Sequence, residues 1–395
     1  MNYQRPVIVM ARSFPPSIEA GGSVVLRNLF GRIDPRDFVV VAGNLPPQDP
    51  VTRLNVPTAV VDIFPARYIY SRFGFLFVPI VCMVAVLFAL RYRPRHILAL
   101  YPFDFFAIAA YWVACLLCLP YSIYLHDVWE EAQKSSIQKK IARLFEPRLV
   151  RQAKHVFVIS DALREHFKKK YGVECIVVRH PIPFHIFLPK VRYDGASKNL
   201  YHIVYTGNVS QLNCDTVRNL IDSGRHIRDI PIQIDFCTAQ TSAELARWLG
   251  ITKKDRVTIQ TVSSAEIPYI QQNADLLFVG ISFELNAMTA NTVFPTKFTE
   301  YLCAGKPIIV HAPADSFLAR FVREHECAYL VEKPDMERLC QAIVDLLSKP
   351  QLATHYARKA VETAQYFEDR RQVHILADAL GMRLIEDGMA ESARA

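Results

Sequence analysis

The chain has 395 residues, of which 51% are hydrophobic and 21% charged, with a formal net charge of +8 and a sequence pI near 9.0. This composition excludes a disordered protein, and a usual domain size of about 150 residues favours two structural units. The basic balance favours contact with phosphates, anionic lipid heads or nucleic acid. The basic residues are scattered and form no zinc-finger, basic-zipper or RNA-recognition signature, which argues against nucleic acid.

The first apolar run, in MNYQRPVIVMARSFPP, predicts a first strand. No small-residue cleavage site follows it, so we expect a cytoplasmic protein.

A longer apolar run, FGFLFVPIVCMVAVLFAL, covers residues 73 to 90 and reaches the lower length limit for crossing a bilayer. Pro79 divides it, and Arg91, Arg93 and Arg95 follow at once. The run could span a membrane, form a helix buried in a large α/β core, or lie on the inner membrane surface with its arginines at phospholipid heads. We favour peripheral association with the membrane through residues 73 to 95.

The nine cysteines are an odd number at irregular spacings, which indicates reduced thiols rather than a disulfide framework. Cys115 and Cys118 form a CxxC inside the apolar helical run AIAAYWVACLLCLP. Because no glycine or proline turn separates them, we expect core thiols rather than a redox or metal-binding pair.

Short runs rich in Val and Ile alternate with helical stretches along the whole chain, which predicts βαβ units and parallel sheets covered on both faces. The predicted strands of the first half are 6–11, 38–42, 59–63, 96–100, 121–125, 155–160 and 174–178. Those of the second half are 202–207, 232–237, 257–260, 275–280, 307–312 and 328–331, with helices at 213–223, 241–249, 296–304, 315–324 and 335–348.

The alternation lapses in the proline-rich and then polar segment HPIPFHIFLPKVRYDGASKN, which suits an interdomain linker. We therefore predict an N-terminal Rossmann-like domain over 1–185, a linker over 186–200 and a second domain over 201–365. A C-terminal helix and tail, 366–395, is expected to return towards the first domain. Ligands of such sheets bind beyond the carboxyl ends of the strands.

Several common nucleotide and hydrolase motifs are missing from the sequence. Without GxxxxGK[ST] or GxGxxG, a simple kinase, GTPase or NAD dehydrogenase is disfavoured. HExxH, GxSxG and the metal-chelating DxD are also missing, so we expect no metal site.

The stretch FPPSIEAGGSVVLRNLF places Gly21 and Gly22 at a predicted helix start after the first strand. Paired glycines allow close approach of a ligand to helix amides, although a plain turn would need the same residues.

In LHDVWEE, His126 and Asp127 stand at the carboxyl end of a predicted strand. A histidine beside an acid can orient a hydroxyl or move a proton, and a hydrogen bond within the loop is the alternative.

The stretch YTGNVSQLNCDTVRNL again joins a strand, a glycine loop and a helix. The amides of Gly207, Asn208 and Ser210 could face a phosphate, but a single glycine is also typical of an ordinary loop.

Residues 294 to 310, FPTKFTEYLCAGKPIIV, predict a short helix that Pro295 begins and Gly305 ends. Lys297 and Glu300 then lie one turn apart on one face. A surface ion pair is one interpretation. The other is a nucleotide site, because a carboxylate can accept both ribose hydroxyls while a lysine beside helix amides holds phosphates.

Taken in order, these stretches resemble the retaining nucleotide-sugar glycosyltransferases of the two-Rossmann-domain type, the glycosyltransferase family 4 group. PTKFTEYLCAGKPIIV, with ADLLFVG upstream, is similar to the run P-[ST]-K-x-x-E-Y-x-A-x-G-[KR]-P-[IV] of many bacterial members. The GG near residue 21, the HD at 126 and VISDALREHF are weaker matches.

The resemblance implies a GT-B fold, in which two Rossmann-like doubly wound parallel-sheet domains face a central cleft. Glu300 would bind the donor ribose and Lys297 its diphosphate, Gly21 and Gly22 would line the cleft, and His126 would face the reacting sugar. Further donor-binding candidates are Gly207, Asn208, Thr296, Tyr301 and Arg179. The nucleotide diphosphate sugar is a substrate, and neither a cofactor, a metal nor a protein nucleophile is implied. The acceptor would be a hydroxyl of a glycan or lipid-linked molecule.

Two positions depart from the family pattern. Where the group commonly has a first glutamate, eight residues before Glu300, this chain has Thr292, and Glu284 further upstream is a possible substitute. The usual Arg and Lys after the first strand of the second domain are replaced by GNVSQLN. Lys297 would therefore carry more of the phosphate charge, with Arg179 or His180 as possible helpers.

Two other functions stay open at this point. A nonhydrolysing nucleotide-sugar epimerase on the same scaffold would need a pair of cleft carboxylates, which the sequence does not offer clearly. A noncatalytic protein that binds sugar nucleotides or partners would explain the missing first glutamate.

Overall fold

The structure is a computed structural model that describes residues 5 to 14, 21 to 44, 56 to 61, 74 to 101, 104 to 132, 136 to 193 and 198 to 385. The chain divides into two compact units. Unit 1 consists of Met1–Pro181 and Asp369–Ala395, and unit 2 of Ile182–Glu368.

Unit 1 contains a parallel sheet with seven strands among the described residues, in the order β3-β2-β1-β4-β5-β6-β7. The strands are β1 Val7–Ser13, β2 Phe38–Asn44, β3 Thr58–Val60, β4 His96–Tyr101, β5 Tyr121–Leu125, β6 His155–Val158 and β7 Cys175–Val177. Its helices are α1 Gly21–Phe30, α2 Val78–Tyr92, α3 Asp104–Leu116, α4 Trp129–Ala132, α5 Ser136–Arg151 and α6 Asp161–Tyr171, with a 3-10 turn Gly74–Phe77 before α2.

Unit 2 contains a parallel sheet of six described strands in the order β10-β9-β8-β11-β12-β13. They are β8 Tyr201–Thr206, β9 Ile232–Cys237, β10 Val257–Gln260, β11 Leu276–Gly280, β12 Ile308–His311 and β13 Tyr329–Val331. The helices are α7 Phe184–Phe187, α8 Cys214–His226, α9 Ser242–Leu249, α10 Ile267–Asn273, α11 Ala287–Thr292, α12 Thr296–Ala304, α13 Phe317–His325, α14 Met336–Ser348 and α15 Pro350–Ala364, followed by a 3-10 turn Gln365–Phe367.

The central strands are apolar on both faces because helices cover both sides of each sheet. In β11, Leu276 and Phe278 pack into one core layer, while Leu277 and Val279 pack into the other. The prediction of two doubly wound parallel sheets is confirmed, and each of the thirteen predicted strands is present. The last two residues of the predicted strand 59–63 lie outside the described residues.

A final helix, α16 Asp369–Leu380, belongs to unit 1. Arg32 is paired with Asp369 at its start, and beyond its end Arg383 binds Asp37 through two nitrogens, the shorter contact being 2.6 Å. These pairs fix the helix on the N-terminal part of the chain. The tail from 386 to 395 lies outside the described residues.

Part of the segment predicted as a linker packs against the end of α12. The amide of Arg192 donates to the carbonyl of Gly305 at 2.8 Å. Gly305 has a φ of +72°, and a Cβ at this position would lie 1.7 Å from the carbonyl oxygen of Lys190. The end of α12 therefore requires glycine both for its left-handed backbone and for this close approach. Residues 194 to 197 lie outside the described residues.

The expectation that Cys115 and Cys118 are core thiols is wrong, because both side chains are exposed. Cys115 lies in the last turn of α3, and Cys118 just after it has a left-handed backbone with a φ of +52°. They line a cavity of about 280 Å³ together with Tyr111, Tyr121 and Gln152, among others. An apolar sequence around a residue does not show whether another element covers it.

Candidate functional site

The best-defined candidate site lies at the N-terminus of α12, next to the carboxyl end of β8. Pro295 precedes the helix with an extended backbone, and Gly305 ends it. The helix buries Phe298, Tyr301 and Leu302 in the core of unit 2. Lys297 and Glu300 lie on the face that is only partly buried, one turn apart as the spacing predicts.

The ammonium group of Lys297 is held over an aromatic ring. Its Nζ lies 3.5 Å from the centre of the Tyr205 ring, at the end of β8, and this distance is typical of a strong cation–π contact. Gly207 is close by, since a Cβ there would be 3.5 Å from the same nitrogen. Although part of the lysine side chain is accessible, Nζ itself is buried and has no hydrogen-bond acceptor in the described protein.

Burial lowers the pKa of Lys297 to about 7, and the nearby negative charge of Glu300 opposes that shift. A buried ammonium without an acceptor is costly, so in the free protein this group is partly neutral at neutral pH. An anionic ligand would supply a negative charge next to the Lys297 ammonium and hydrogen-bond acceptor atoms for it.

Glu300 is positioned by a glutamine from another helix. The side-chain amide of Gln271, in α10, donates to the Glu300 carboxylate at 3.0 Å and to the hydroxyl of Thr206 at 3.1 Å. Gln271 is completely buried, so this bridge ties α12 to the end of β8. Its side-chain oxygen has no donor in the described protein.

Tyr301 occupies a different position from the other donor-binding candidates. Its side chain is fully buried, and its hydroxyl oxygen accepts from the amide of Thr206 at 2.8 Å. Burial raises the pKa of this phenol. Tyr301 therefore holds the end of β8 in place from within the core of unit 2. Thr296, the first residue of α12, is partly buried, and its carbonyl accepts from the Thr299 hydroxyl at 2.7 Å.

In the loop after β8, two of the three amides predicted to face a phosphate, those of Gly207 and Ser210, instead donate to groups of the protein itself. The amide of Gly207, whose φ is +84°, donates to the carbonyl of Cys237 at 2.7 Å. The amide of Ser210 donates to the Asn213 side chain at 2.9 Å. The exposed Asn208 accepts through its side chain from the Thr238 hydroxyl. Gly207 leaves space beside Lys297, and its amide is not available to a ligand.

Neither candidate for the missing first glutamate joins this cluster by a described contact. Thr292 is buried, and its hydroxyl donates to the carbonyl of Met288 one turn back in α11, at 3.0 Å. Glu284 is exposed, and its amide donates to the Ser282 hydroxyl at 3.1 Å. The hydroxyl of Thr292 is thus used inside its own helix.

In unit 1, a pair of buried histidines lies at the carboxyl ends of the strands. His126 follows β5 and His180 follows β7, with ring centres 6.3 Å apart. His126 also packs edge-on against Tyr124 at 4.5 Å. His126 Nε2 and His180 Nδ1 are buried without a hydrogen-bond partner in the described protein. These nitrogens can bind a hydroxyl in either direction, since a neutral imidazole has one donor and one acceptor.

Burial sets the ionisation of this histidine pair. It lowers the pKa of His126 to about 3, with a smaller contribution from His180, and that of His180 to about 4. Burial also raises the pKa of the neighbouring Asp127 to about 6. Both imidazoles are neutral at pH 7, so His180 is a poor candidate for balancing phosphate charge.

The other unit 1 candidates have separate positions. Arg179 is paired with Asp161 at the start of α6, and its amide donates to Gln372 at 2.7 Å, so its charge already has a partner. Gly21 and Gly22 begin α1 after β1, as predicted. The loop from 15 to 20 before them lies outside the described residues.

The sequence does not indicate any site role for Tyr205 or Gln271. For His180 it indicates a different role, as a helper in balancing the phosphate charge. Tyr205 and Gln271 carry no local signal, because each contacts a residue far away along the chain. His180 ends the run VVRH at a strand terminus, which is a signal comparable to that of His126.

Two family models match the chain. Residues 20–180 match the family model described as "Glycosyl transferase 4-like domain", and residues 241–363 match "Glycosyl transferases group 1". No curated protein matches the chain by sequence.

Three solved structures illustrate the similarity of fold. Sucrose-phosphate synthase from Thermosynechococcus elongatus has a TM-score of 0.69 at 16% identity, covering 95% of this chain and 98% of that one. Anabaena Alr3699/HepE in complex with UDP-glucose has a TM-score of 0.68 at 16% identity, covering 95% and 99%. WaaG, a glycosyltransferase involved in lipopolysaccharide biosynthesis, has 0.64 at 13%, covering 93% and 99%.

The two family models together cover most of the chain, and both of its sheets are parallel and Rossmann-like. The chain therefore belongs to the GT-B glycosyltransferases, with a family 4-like domain followed by a group 1 domain.

Proposed function

We propose that this glycosyltransferase moves a sugar, with retention of configuration, from a nucleotide diphosphate donor to a hydroxyl of a glycan or lipid-linked acceptor in the cytoplasm. One observation carries the donor assignment. Lys297, whose buried Nζ has no hydrogen-bond acceptor among the described residues, lies one helical turn from Glu300, whose carboxylate accepts from Gln271. A nucleoside diphosphate offers phosphate oxygens to the first group and ribose hydroxyls to the second.

The N-terminus of α12 strengthens such a site, because its amides and dipole favour a negative group beside Lys297. In this proposal the diphosphate accepts from the Lys297 ammonium, and the ribose hydroxyls donate to Glu300. Gln271 keeps the carboxylate in place by donating to it from the protein side. Complexes of Alr3699/HepE with UDP and UDP-glucose make uracil donors the first to test.

The proposed transfer step uses the same groups. The bond between the anomeric carbon and the β-phosphate oxygen breaks, and the acceptor oxygen bonds to that carbon on the same face. The acceptor proton goes to an oxygen of the departing diphosphate. Lys297 stabilises the negative charge that develops on the diphosphate, which is where a fixed cation contributes most. We propose that this lysine makes a metal unnecessary.

His126 is assigned to the transferred sugar. As a neutral imidazole it can donate to or accept from a sugar hydroxyl without placing a positive charge near the anomeric carbon. His180 beside it is a candidate for the same hydroxyl-binding role.

The test measures donor binding and sugar transfer separately. UDP, GDP, ADP and dTDP sugars are screened by thermal shift, since a bound donor raises the apparent stability. Release of the nucleoside diphosphate with simple glycoside and lipid-linked acceptors then reports transfer. A protein that binds no nucleotide sugar contradicts the proposal. A protein that binds one but transfers it to no acceptor has the noncatalytic binding function, which Thr292 in place of the first glutamate would favour.

A further inference from the structure

Helix α2 is apolar all round but buries only one narrow stripe. Val81, Ala85 and Ala89, four residues apart, are its fully buried residues. They face α3 and strands β2 and β3, and the Cys82 thiol reaches the Ala109 carbonyl of α3 at 3.7 Å. The small residues on this stripe allow α2 and α3 to approach each other closely. Only 17% of the apolar run Phe75–Tyr92 is buried, which is far less than a core helix would bury.

The opposite face of α2 is exposed and remains apolar. Met83, Leu87 and Leu90 are 57%, 60% and 65% exposed, and their spacing places them on one side of the helix. Phe75 and Leu76, on the turn before α2, are exposed as well. A folded protein rarely leaves so many neighbouring large apolar side chains in water without a binding partner.

The exposed apolar surface continues onto the neighbouring helices. Helix α3 packs against both α2 and α5, and it exposes Trp112 and Leu116, while α5 exposes Ile137 and Leu144. Nine of the eighteen exposed large hydrophobic side chains of the described residues belong to this surface, which we call the apolar platform. Its members are Phe75, Leu76, Met83, Leu87, Leu90, Trp112, Leu116, Ile137 and Leu144.

Positive charges border the apolar platform. Arg91 and Arg93 are exposed at the end of α2, and Lys140 and Arg148 are exposed on α5. The sequence from 74 to 101 contains no acidic residue. Arg95, which the sequence places with the other two arginines, instead donates to the carbonyls of Arg5 and Gly381 and has a structural role. Exposed cations around an apolar surface complement anionic lipid heads around acyl chains.

We propose that the apolar platform docks on the surface of an anionic lipid bilayer, with α2 lying in the plane of the interface. The helical run Phe75–Tyr92 is long and apolar enough to cross a bilayer by length and composition, but its place in the fold argues against crossing. Helix α2 connects β3 and β4, two parallel strands of one sheet, so both of its ends belong on the same side.

This inference stands apart from the proposed sugar transfer, because lipid binding needs no donor or acceptor. The experiment mixes the full chain, purified without detergent, with vesicles of phosphatidylcholine alone or with an equal part of phosphatidylglycerol. Co-sedimentation is measured at low and high salt. We expect binding to the anionic vesicles that weakens with salt, and at least about tenfold weaker binding by the double variant Leu87→Gln and Leu90→Gln.

The matched control is Ile186→Gln with Leu188→Gln, two exposed apolar residues of unit 2. It should bind vesicles as the unchanged protein does, and circular dichroism checks that each variant is folded. A folded protein that ignores anionic vesicles overturns the proposal. A dimer that forms without lipid and dissociates on the Leu87 and Leu90 changes would assign the surface to a second copy of the chain. Resistance to extraction by alkaline carbonate would instead indicate a spanning helix.

Discussion

The two units differ in the charge of the groups that lie without hydrogen-bond partners among the described residues at the carboxyl ends of their strands. In unit 2, Lys297 and Glu300 lie together, and the Lys297 ammonium has no hydrogen-bond acceptor among the described residues. In unit 1, Arg179 is paired with Asp161, whereas one ring nitrogen each of the neutral His126 and His180 has no hydrogen-bond partner among the described residues. The proposed division between the units is that the group in unit 2 suits a charged diphosphate and the groups in unit 1 suit uncharged hydroxyls.

The largest expected effect is that of Lys297→Met, which keeps the length of the side chain and removes its charge. Affinity for the nucleoside diphosphate should fall about 100-fold, because charge-assisted hydrogen bonds to phosphate are lost. Isothermal titration calorimetry with the diphosphate selected by the thermal-shift screen measures this. The exposed Lys333→Met serves as the control, and similar losses in both variants would show that the charge of Lys297 has no special role.

His126→Ala tests the other half of the comparison. We expect the rate of sugar transfer to fall about 30-fold while nucleoside diphosphate affinity is unchanged, since the imidazole is assigned to the sugar. Steady-state kinetics and calorimetry on the same preparation separate the two. Weaker diphosphate binding by this variant would end the proposed division between the units.

Glu300→Gln should have a smaller effect on binding. The amide can still contact Gln271 and one ribose hydroxyl, so affinity for the nucleoside diphosphate should fall about tenfold. For a nucleotide with a 2′-deoxyribose, the difference in affinity between the variant and the unchanged protein should be smaller. Equal loss for ribose and deoxyribose forms would assign Glu300 to some other part of the donor.

The pH dependence of diphosphate binding should show the same contrast between the two units. With the pKa of Lys297 near 7 in the free protein, the charged form that binds phosphate declines from about pH 7 to about pH 9, and affinity should weaken by up to tenfold per unit. Lys297→Met should remove this dependence. The histidines of unit 1, with pKa values of about 3 and 4, should add none.

The same shift predicts a change in stability without ligand. The pKa of Lys297 is lower in the folded protein than its ordinary value of 10.5, so the unfolded chain binds more protons between about pH 7 and that value. The free energy of unfolding should therefore rise with pH in this window. Lys297→Met should flatten the rise in urea titrations, whereas Lys333→Met should leave it unchanged.

The sequence predicts the fold well because parallel strands buried on both faces read as continuous Val and Ile runs. Four helices of unit 2, α7, α10, α11 and α15, are not predicted. Three of them, α7, α10 and α11, have only four, seven and six residues, too few to show a helical period.

Within the candidate site, local spacing is enough to place Lys297 and Glu300 on one face, whereas their supports come from distant segments. Gln271 precedes Glu300 by 29 positions, and the pairing of Lys297 with the Tyr205 ring depends on how α12 packs beside β8. The prediction that the Gly207 amide faces a phosphate is wrong for the same reason, since that amide donates to the carbonyl of Cys237 in β9.

The exposed CxxC of unit 1 makes the molecule convenient to label. Of the nine cysteines, Cys115 and Cys118 are exposed, five others are buried, and Cys82 and Cys340 are partly covered. Cys115 and Cys118 flank Leu116 along the chain, and Leu116 is a member of the apolar platform that is 70% exposed. A maleimide dye whose emission depends on solvent polarity should therefore attach beside the apolar platform without any engineered cysteine. Its emission would report when the apolar platform moves from water to a lipid surface.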